Sequence, residues 1–201
     1  MAPEPLAPWR EKKRRHILEV ASRIFSAHNY HAVSMDQVAR RARVGKGTLY
    51  RYFDSKEDLY LALLDSALLL LTERLEEEEK AALPPDQTLA RMVGAIVHTF
   101  SEHLASFRIL NGDEARLMVR KRELFQARRR HIAMLLGRVL EKGAAGGVFR
   151  AVDPTATPSL LIGMVWAAVL NHSEEVPPEA LAALIVDVFF RGTLGPGSGA
   201  Q

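Results

Sequence analysis

Between Ser34 and Phe53 lie two apolar periods, each barely two turns long, on either side of Arg43-Val44-Gly45-Lys46-Gly47. The first, MDQVARR, places Met35, Val38 and Ala39 on one face, with Ala42 just beyond. Ser34 stands at its N-cap position with Gln37 three residues on, the spacing of a capping box. The second runs from Thr48 to Phe53 and sets Leu49 and Phe53 at i, i+4, facing a core. Gly45 is the expected site of a positive φ between the two. A longer period precedes them, Glu11 to His28, with Ile17, Leu18, Val20, Ala21, Ile24 and Phe25 at helical spacing. Asn29-Tyr30-His31 ends it.

A long helix packed on two short ones about a tight turn is the plan of a helix-turn-helix reader of duplex DNA. The major groove admits one helix, and the turn sets its angle. Charge distribution agrees. Residues 1–55 carry 11 Lys and Arg against 5 Asp and Glu, a net of +6. The remaining residues carry 16 against 19, a net of −3. A basic front suits a polyanion. On this reading the second short helix exposes Lys46, Gly47, Thr48, Tyr50 and Arg51. Hydroxyls of Thr and Tyr donate to phosphate oxygens, Lys and Arg add charge-assisted contacts, and Gly47 lets backbone come close. Tyr50 and Tyr52 also have a packing reading, as half-buried residues. Gly45-Lys46-Gly47-Thr48 is not a Walker loop, because Gly47 follows the lysine and Arg41 holds the upstream glycine position.

The rest of the chain is also helical in pattern, so the expected class is all-α. Asp54-Ser55-Lys56 breaks the reader from a long helix at about Lys56 to Lys80, with Ser55 and Asp58 repeating the capping pattern. Its closing run, Glu76 to Glu79, reads as a solvated face. After a loop at Leu83-Pro84-Pro85-Asp86, helices are expected at Gln87 to Ala105, Phe107 to Asn111 and Glu114 to Lys142. Gly143 to Pro154 reads as a loop, two apolar helices follow at Thr155 to His172 and Pro178 to Thr193, and Gly195 to Gly199 reads as a flexible tail. The expected domains are 1–55, a three-helix DNA-binding domain, and 56–201, a larger helical domain for ligand binding and dimerisation.

The chain has no cysteine, which excludes disulfides and thiolate metal sites. No stretch reaches the roughly 18 consecutive apolar residues of a membrane helix, and the N-terminus lacks the apolar run of a secretory signal. A cytoplasmic location fits, without membrane partner or cofactor. An enzyme is disfavoured, since neither a His-Glu-x-x-His pair nor a Gly-x-Ser-x-Gly elbow occurs. Duplex RNA is disfavoured because its major groove is too narrow for a helix.

The run ILEVASRIFSAHNYHAVSMDQVARRARVGKGTLYRYFDSKEDL, Ile17 to Leu59, resembles the N-terminal domain of the TetR family of bacterial transcriptional regulators. Phe25, Tyr30, the Ser34-to-Ala39 helix, Gly45, Thr48-Leu49-Tyr50, Tyr52-Phe53 and Ser55-Lys56 carry the resemblance. His is common in the family where Tyr52 stands. The resemblance implies a homodimer whose basic domains each read half of a palindromic double-stranded DNA operator, and a small-molecule effector that releases it. It implies phosphate contacts from Thr48, Tyr50, Tyr52 and Lys56, with Arg43, Lys46 and Gly47 near bases or backbone. Ser34 and Arg51 join these candidates. Arg10, Lys12, Lys13 and Arg14 would steer toward DNA. A repressor is the expected sense of control; the alternative is a drug- or metabolite-sensing activator of the same fold.

The last two helices are apolar on more than one stripe, so each must be buried on several sides. Leu161, Val165 and Val169, with Leu181, Ile185, Val188 and Phe189, are the candidates for a dimer interface; the competing reading is an intramolecular core. Met92, Ile96, Phe100 and Phe107, with Met118, Phe125, Met134 and Trp166, are candidates for an apolar pocket, or for ordinary core. Arg122 and Arg129 belong to an arginine-rich stretch between Glu114 and His131 that suits phosphate groups, or is a solvated face. Together they suggest an effector with an apolar tail and a phosphorylated head, such as an acyl-CoA; an uncharged or cationic apolar compound is the rival. His98, His103, Asn111 and Asn171 are candidates for polar specificity or structural roles.

Overall fold

The computed structural model describes residues 7–28, 30–103, 115–171 and 176–193, with only the backbone for 115–125, 192 and 193. Among these the chain forms eight α-helices and one 3₁₀ turn: α1 Pro8–Ala27, the turn Tyr30–Ala32, α2 Met35–Arg41, α3 Lys46–Tyr50, α4 Lys56–Lys80, α5 Pro85–Glu102, α6 Ala115–Ala145, α7 Ala156–Asn171 and α8 Pro178–Thr193. The expected helix at Phe107 to Asn111, Asn111 itself and the tail from Gly195 lie outside the described residues. Helices α1 and α5 start earlier than their apolar periods because proline stands in their first turn, where its missing N–H costs nothing.

Among the described residues the chain divides into two compact units, the first made of residues 7–66 and 115–118 and the second of 67–103 and 119–193. The sequence break at Ser55 is a local capping signal: Ser55 Oγ accepts from Asp58 N and donates to the Asp58 carboxylate, both at 3.0 Å. Core membership continues past it, since Leu59 and Tyr60 in the first turns of α4 are completely buried.

In the first unit α1 packs on α2, and α2 on α3. Ile17, Ala21, Val38 and Leu49 have no exposed surface. The aromatic rings of Phe25, Tyr30 and Tyr60 form its centre, with Tyr30 and Tyr60 centroids 4.9 Å apart and Phe25 and Tyr60 5.0 Å apart, both edge-on.

In the second unit α5 packs against α7 and α8, which also touch each other. Met92, Ile96, Leu161 and Val165 are completely buried there. The glutamate run is not a merely solvated face. Glu76 meets His131 Nε2 at 3.0 Å and Glu78 meets Arg91 at 3.2 Å. Glu79 takes both arms of Arg138, with Nη2 to Oε2 at 2.6 Å. That paired guanidinium holds the Glu79 carboxyl below its usual range. Each partly exposed pair contributes about 0–1 kcal/mol, but together they give α4 a defined register on α5 and α6.

The expected loop at Gly143 is helix as far as Ala145. The bend follows at Gly147, whose φ of 73° only glycine adopts without strain. Gly143 faces the buried Phe149 ring so closely that a Cβ would lie 2.2 Å from Cδ2 and 3.1 Å from Pro85 Cβ. Gly143→Ala should therefore destabilise the second unit. Overpacking costs about 1–3 kcal/mol, more than the roughly 1 kcal/mol that alanine gains over glycine in a helix. A thermal melt is the check, and an unchanged or raised midpoint contradicts this packing.

Candidate DNA-reading surface

The surface starts from one anchored tyrosine. Tyr30 is 1% exposed. Its hydroxyl donates to Glu57 Oε1 at 3.0 Å, and the Lys56 ammonium sits 4.1 Å from its ring centroid. The same ammonium donates to the carbonyls of Tyr30 at 3.1 Å and Val33 at 3.2 Å. One cation thus satisfies two acceptors of the turn that links α1 to α2 and adds a cation–π contact. The Glu57 carboxyl is held below its usual range, first by backbone N–H donation at the start of α4 and further by the Tyr30 hydroxyl. Lys56, expected at a phosphate, spends two of its three donors inside the protein.

From this clamp the short helices are built outward. Ser34 Oγ accepts from Gln37 N at 3.2 Å, which caps α2 as its spacing predicted. The C-terminus of α2 differs from expectation. Val44 N donates to Ala39 O at 3.0 Å and Arg43 N to Arg40 O at 3.1 Å, the paired bonds of a Schellman motif. The residue in left-handed conformation is Arg43, with φ 54°. Gly45 instead has φ −64° and ψ 148° as the N-cap of α3. The glycine sits two positions too late to relieve the turn, so an arginine bears a strain of about 1–2 kcal/mol. His16 Nε2 lies 3.2 Å from Ala42 O, tying α1 to the same corner.

The exposed face then carries Ser34, Arg43, Lys46, Gly47, Tyr50 and Arg51. Tyr50 is 40% exposed. A Cβ at Gly47 would meet nothing within 4 Å, so its backbone is open to approach. Thr48 and Tyr52 are half-buried, and the Tyr52 ring lies 6.5 Å from that of Phe53. Arg10, Lys12 and Lys13 are exposed on α1, whereas Arg14 is half-buried with its guanidinium 5.5 Å from the Phe53 ring centroid. Arg40 and Arg41 also stand exposed at the end of α2. Their place in its last turn was the available signal for them. Asp36 was overlooked as well. Its carboxylate reaches Lys46 Nζ at 2.9 Å. The hydrogen bond and charge of Asp36 hold the lysine pKa above its usual value.

The other candidates separate. Leu161, Val165, Val169, Leu181, Ile185 and Phe189 are buried inside the chain itself, so they are core and not an open interface. Leu160, Leu184 and Val188, exposed by 67%, 54% and 52%, form the outward stripe of α7 and α8. Met92, Ile96 and Phe100 are likewise buried in the helical core, and Trp166 meets Phe100 edge-on at 5.5 Å. Met134, 51% exposed, points outward and not into a pocket. Arg129 is exposed. Phe107 and the side chains of Met118, Arg122 and Phe125 lie outside the described residues. Among the polar candidates, His98 is exposed beside Glu102 at 3.3 Å, burial pushes the His103 pKa down, and Asn171 Nδ2 donates to Ala167 O at 2.8 Å.

The site thus offers cations, a phenol and open backbone on two short helices, held by a rigid clamp. Arg43 and Lys56 should respond in opposite ways to replacement. Arg43→Gly should raise stability by about 0.5–1 kcal/mol once the greater freedom of unfolded glycine is subtracted, yet weaken DNA binding. Lys56→Ala should lower stability by about 1–3 kcal/mol, because two carbonyls lose their donor. Melts paired with DNA titrations check both; a Lys56→Ala protein that melts like the parent removes the clamp.

Comparison with known proteins agrees with this geometry. Residues 17–63 match the family described as bacterial regulatory proteins, tetR family, and residues 82–193 match the tetracyclin repressor-like C-terminal domain. The HTH-type transcriptional regulator YhgD of Bacillus subtilis is 27% identical over 176 residues, 86% of this chain and 92% of that protein. The fatty acid degradation regulator FadR of Bacillus halodurans shares the fold with a TM-score of 0.76 at 18% identity, covering 98% of this chain and 100% of that one. FadR of Bacillus subtilis, solved in complex with stearoyl-CoA, does so with a TM-score of 0.72 at 19% identity, covering 89% and 98%. With family matches across both its reader and its larger helical region, the chain belongs to the TetR family of bacterial transcriptional regulators.

Proposed function

We propose that this regulator is a repressor that binds a palindromic operator as a homodimer and is released by an acyl-CoA-like effector. The observation that carries the DNA part is the open face of α2 and α3, where Arg43, Lys46, Gly47, Tyr50 and Arg51 are exposed together on a support clamped by Tyr30 and Lys56. Arg10, Lys12 and Lys13 supply steering charge.

The partner for the apolar stripe of Leu160, Leu184 and Val188 is a second copy of the same chain. Leu184 and Val188 are i, i+4 neighbours on one face of α8, and apolar side chains exposed together mark an interaction surface. A two-fold dimer presents two readers to two half-sites. The acyl-CoA reading draws on the FadR structure with stearoyl-CoA and on exposed arginines of α6 above an apolar core.

Selection of bound fragments from the source genome at stated salt is the test. A palindromic motif, released on adding an acyl-CoA, is the expected result; no enriched sequence sinks the operator reading, and tighter binding with effector turns the repressor into an activator. On the selected operator, Tyr50→Ala should weaken binding roughly tenfold, the loss of one charge-assisted phosphate contact. Its melting point should stay at the parent value because the ring is outside the core. Leu184→Glu with Val188→Glu should shift the protein to monomer in sedimentation. A persistent dimer moves the interface elsewhere.

A further inference from the structure

A groove of the second unit lies between α6 and the first turn of α7, lined by Gln126, Arg129, Arg130, Ala133 and Ser159. The four α6 residues stand at i, i+3, i+4 and i+7, one stripe of the helix. Toward its C-terminal end α6 comes tight against α7: a Cβ at Gly137 would lie 3.0 Å from Pro154 O and 3.6 Å from Pro158 Cγ. Beyond that contact the small side chain of Ala133 leaves room, and the two guanidinium groups border it.

The next cations along α6, His131 and Arg138, are taken up by Glu76 and Glu79 of α4. No carboxylate among the described residues lies within 4 Å of Arg129 or Arg130. Two planar forks with no carboxylate partner among the described residues, and an amide, border one concavity and match the oxygens of a phosphate or diphosphate, while the Ser159 hydroxyl donates to Thr155 O at 3.4 Å.

We infer that this groove holds the phosphorylated head of the effector, with Arg129 and Arg130 as its phosphate-binding residues. The inference rests on the acyl-CoA reading above and adds to it the place of the head group. Because both arginines are exposed, their removal leaves the core intact, and each contributes about tenfold in affinity as one charge-assisted contact.

The test is titration calorimetry of the parent and of Arg129→Gln/Arg130→Gln with four probes: inorganic pyrophosphate, coenzyme A, palmitoyl-CoA and phosphate-free S-palmitoyl pantetheine. The expected result is a loss of at least tenfold for palmitoyl-CoA in the variant, with pantetheine thioester binding unchanged within about twofold. Equal palmitoyl-CoA affinity in parent and variant overturns the groove and leaves the effector reading standing. Binding of coenzyme A or pyrophosphate that the variant loses, with no gain from the acyl chain, upholds the groove and removes the acyl-CoA reading. If no phosphate-bearing probe binds the parent, the groove falls; pantetheine thioester binding then shows whether an apolar site survives without it.

Discussion

The engagement of Tyr30 is the contact on which the first unit depends. Its ring lies among Phe25, Tyr60 and the Lys56 ammonium, and its hydroxyl holds Glu57. Helix α1, the linking turn and the start of α4 therefore meet at a single side chain. Helices α2 and α3 are too short to stand alone, since helices below about 12 residues are marginal in water. They persist because Val38 and Leu49 bury themselves on the support that Tyr30 organises.

The turn between α2 and α3 shows how a reader accepts local cost for position. A glycine at residue 43 would relax the left-handed corner, yet an arginine occupies it with φ 54° and presents its charge beside α3. Asp36 does something similar in charge. It neutralises Lys46 across 2.9 Å of exposed surface, so a phosphate must compete for that ammonium. Strain and self-pairing at a binding face are where local rules and function diverge.

Much of the fold was legible in residue spacing. Met35, Val38 and Leu49 were read as core from helical periodicity, and Ser34 as a cap from its offset to Gln37; the structure buries the first three and gives Ser34 its N–H. Other features were not legible. The clamp role of Lys56 could not be read in the sequence because its two carbonyl partners are 23 and 26 residues away. Arg43 could not be seen as the left-handed residue while Gly45 stood nearby as the better candidate. The glutamate run of α4 needed partners from α5 and α6, some of them 55 and 59 residues distant.

The sequence by itself determined an all-helical chain with a basic reader in front, because helical periodicity, capping offsets and charge are local properties that survive without tertiary context. Only the tertiary structure decided which stripe of each apolar helix faces inward. In α7 and α8 the apolar residues run nearly all round, so periodicity assigns no inner side. Packing against α5 buries Leu161, Val165, Leu181 and Ile185 and turns Leu160, Leu184 and Val188 outward. Burial is a property of neighbouring surfaces, and a single helix carries no record of its neighbours.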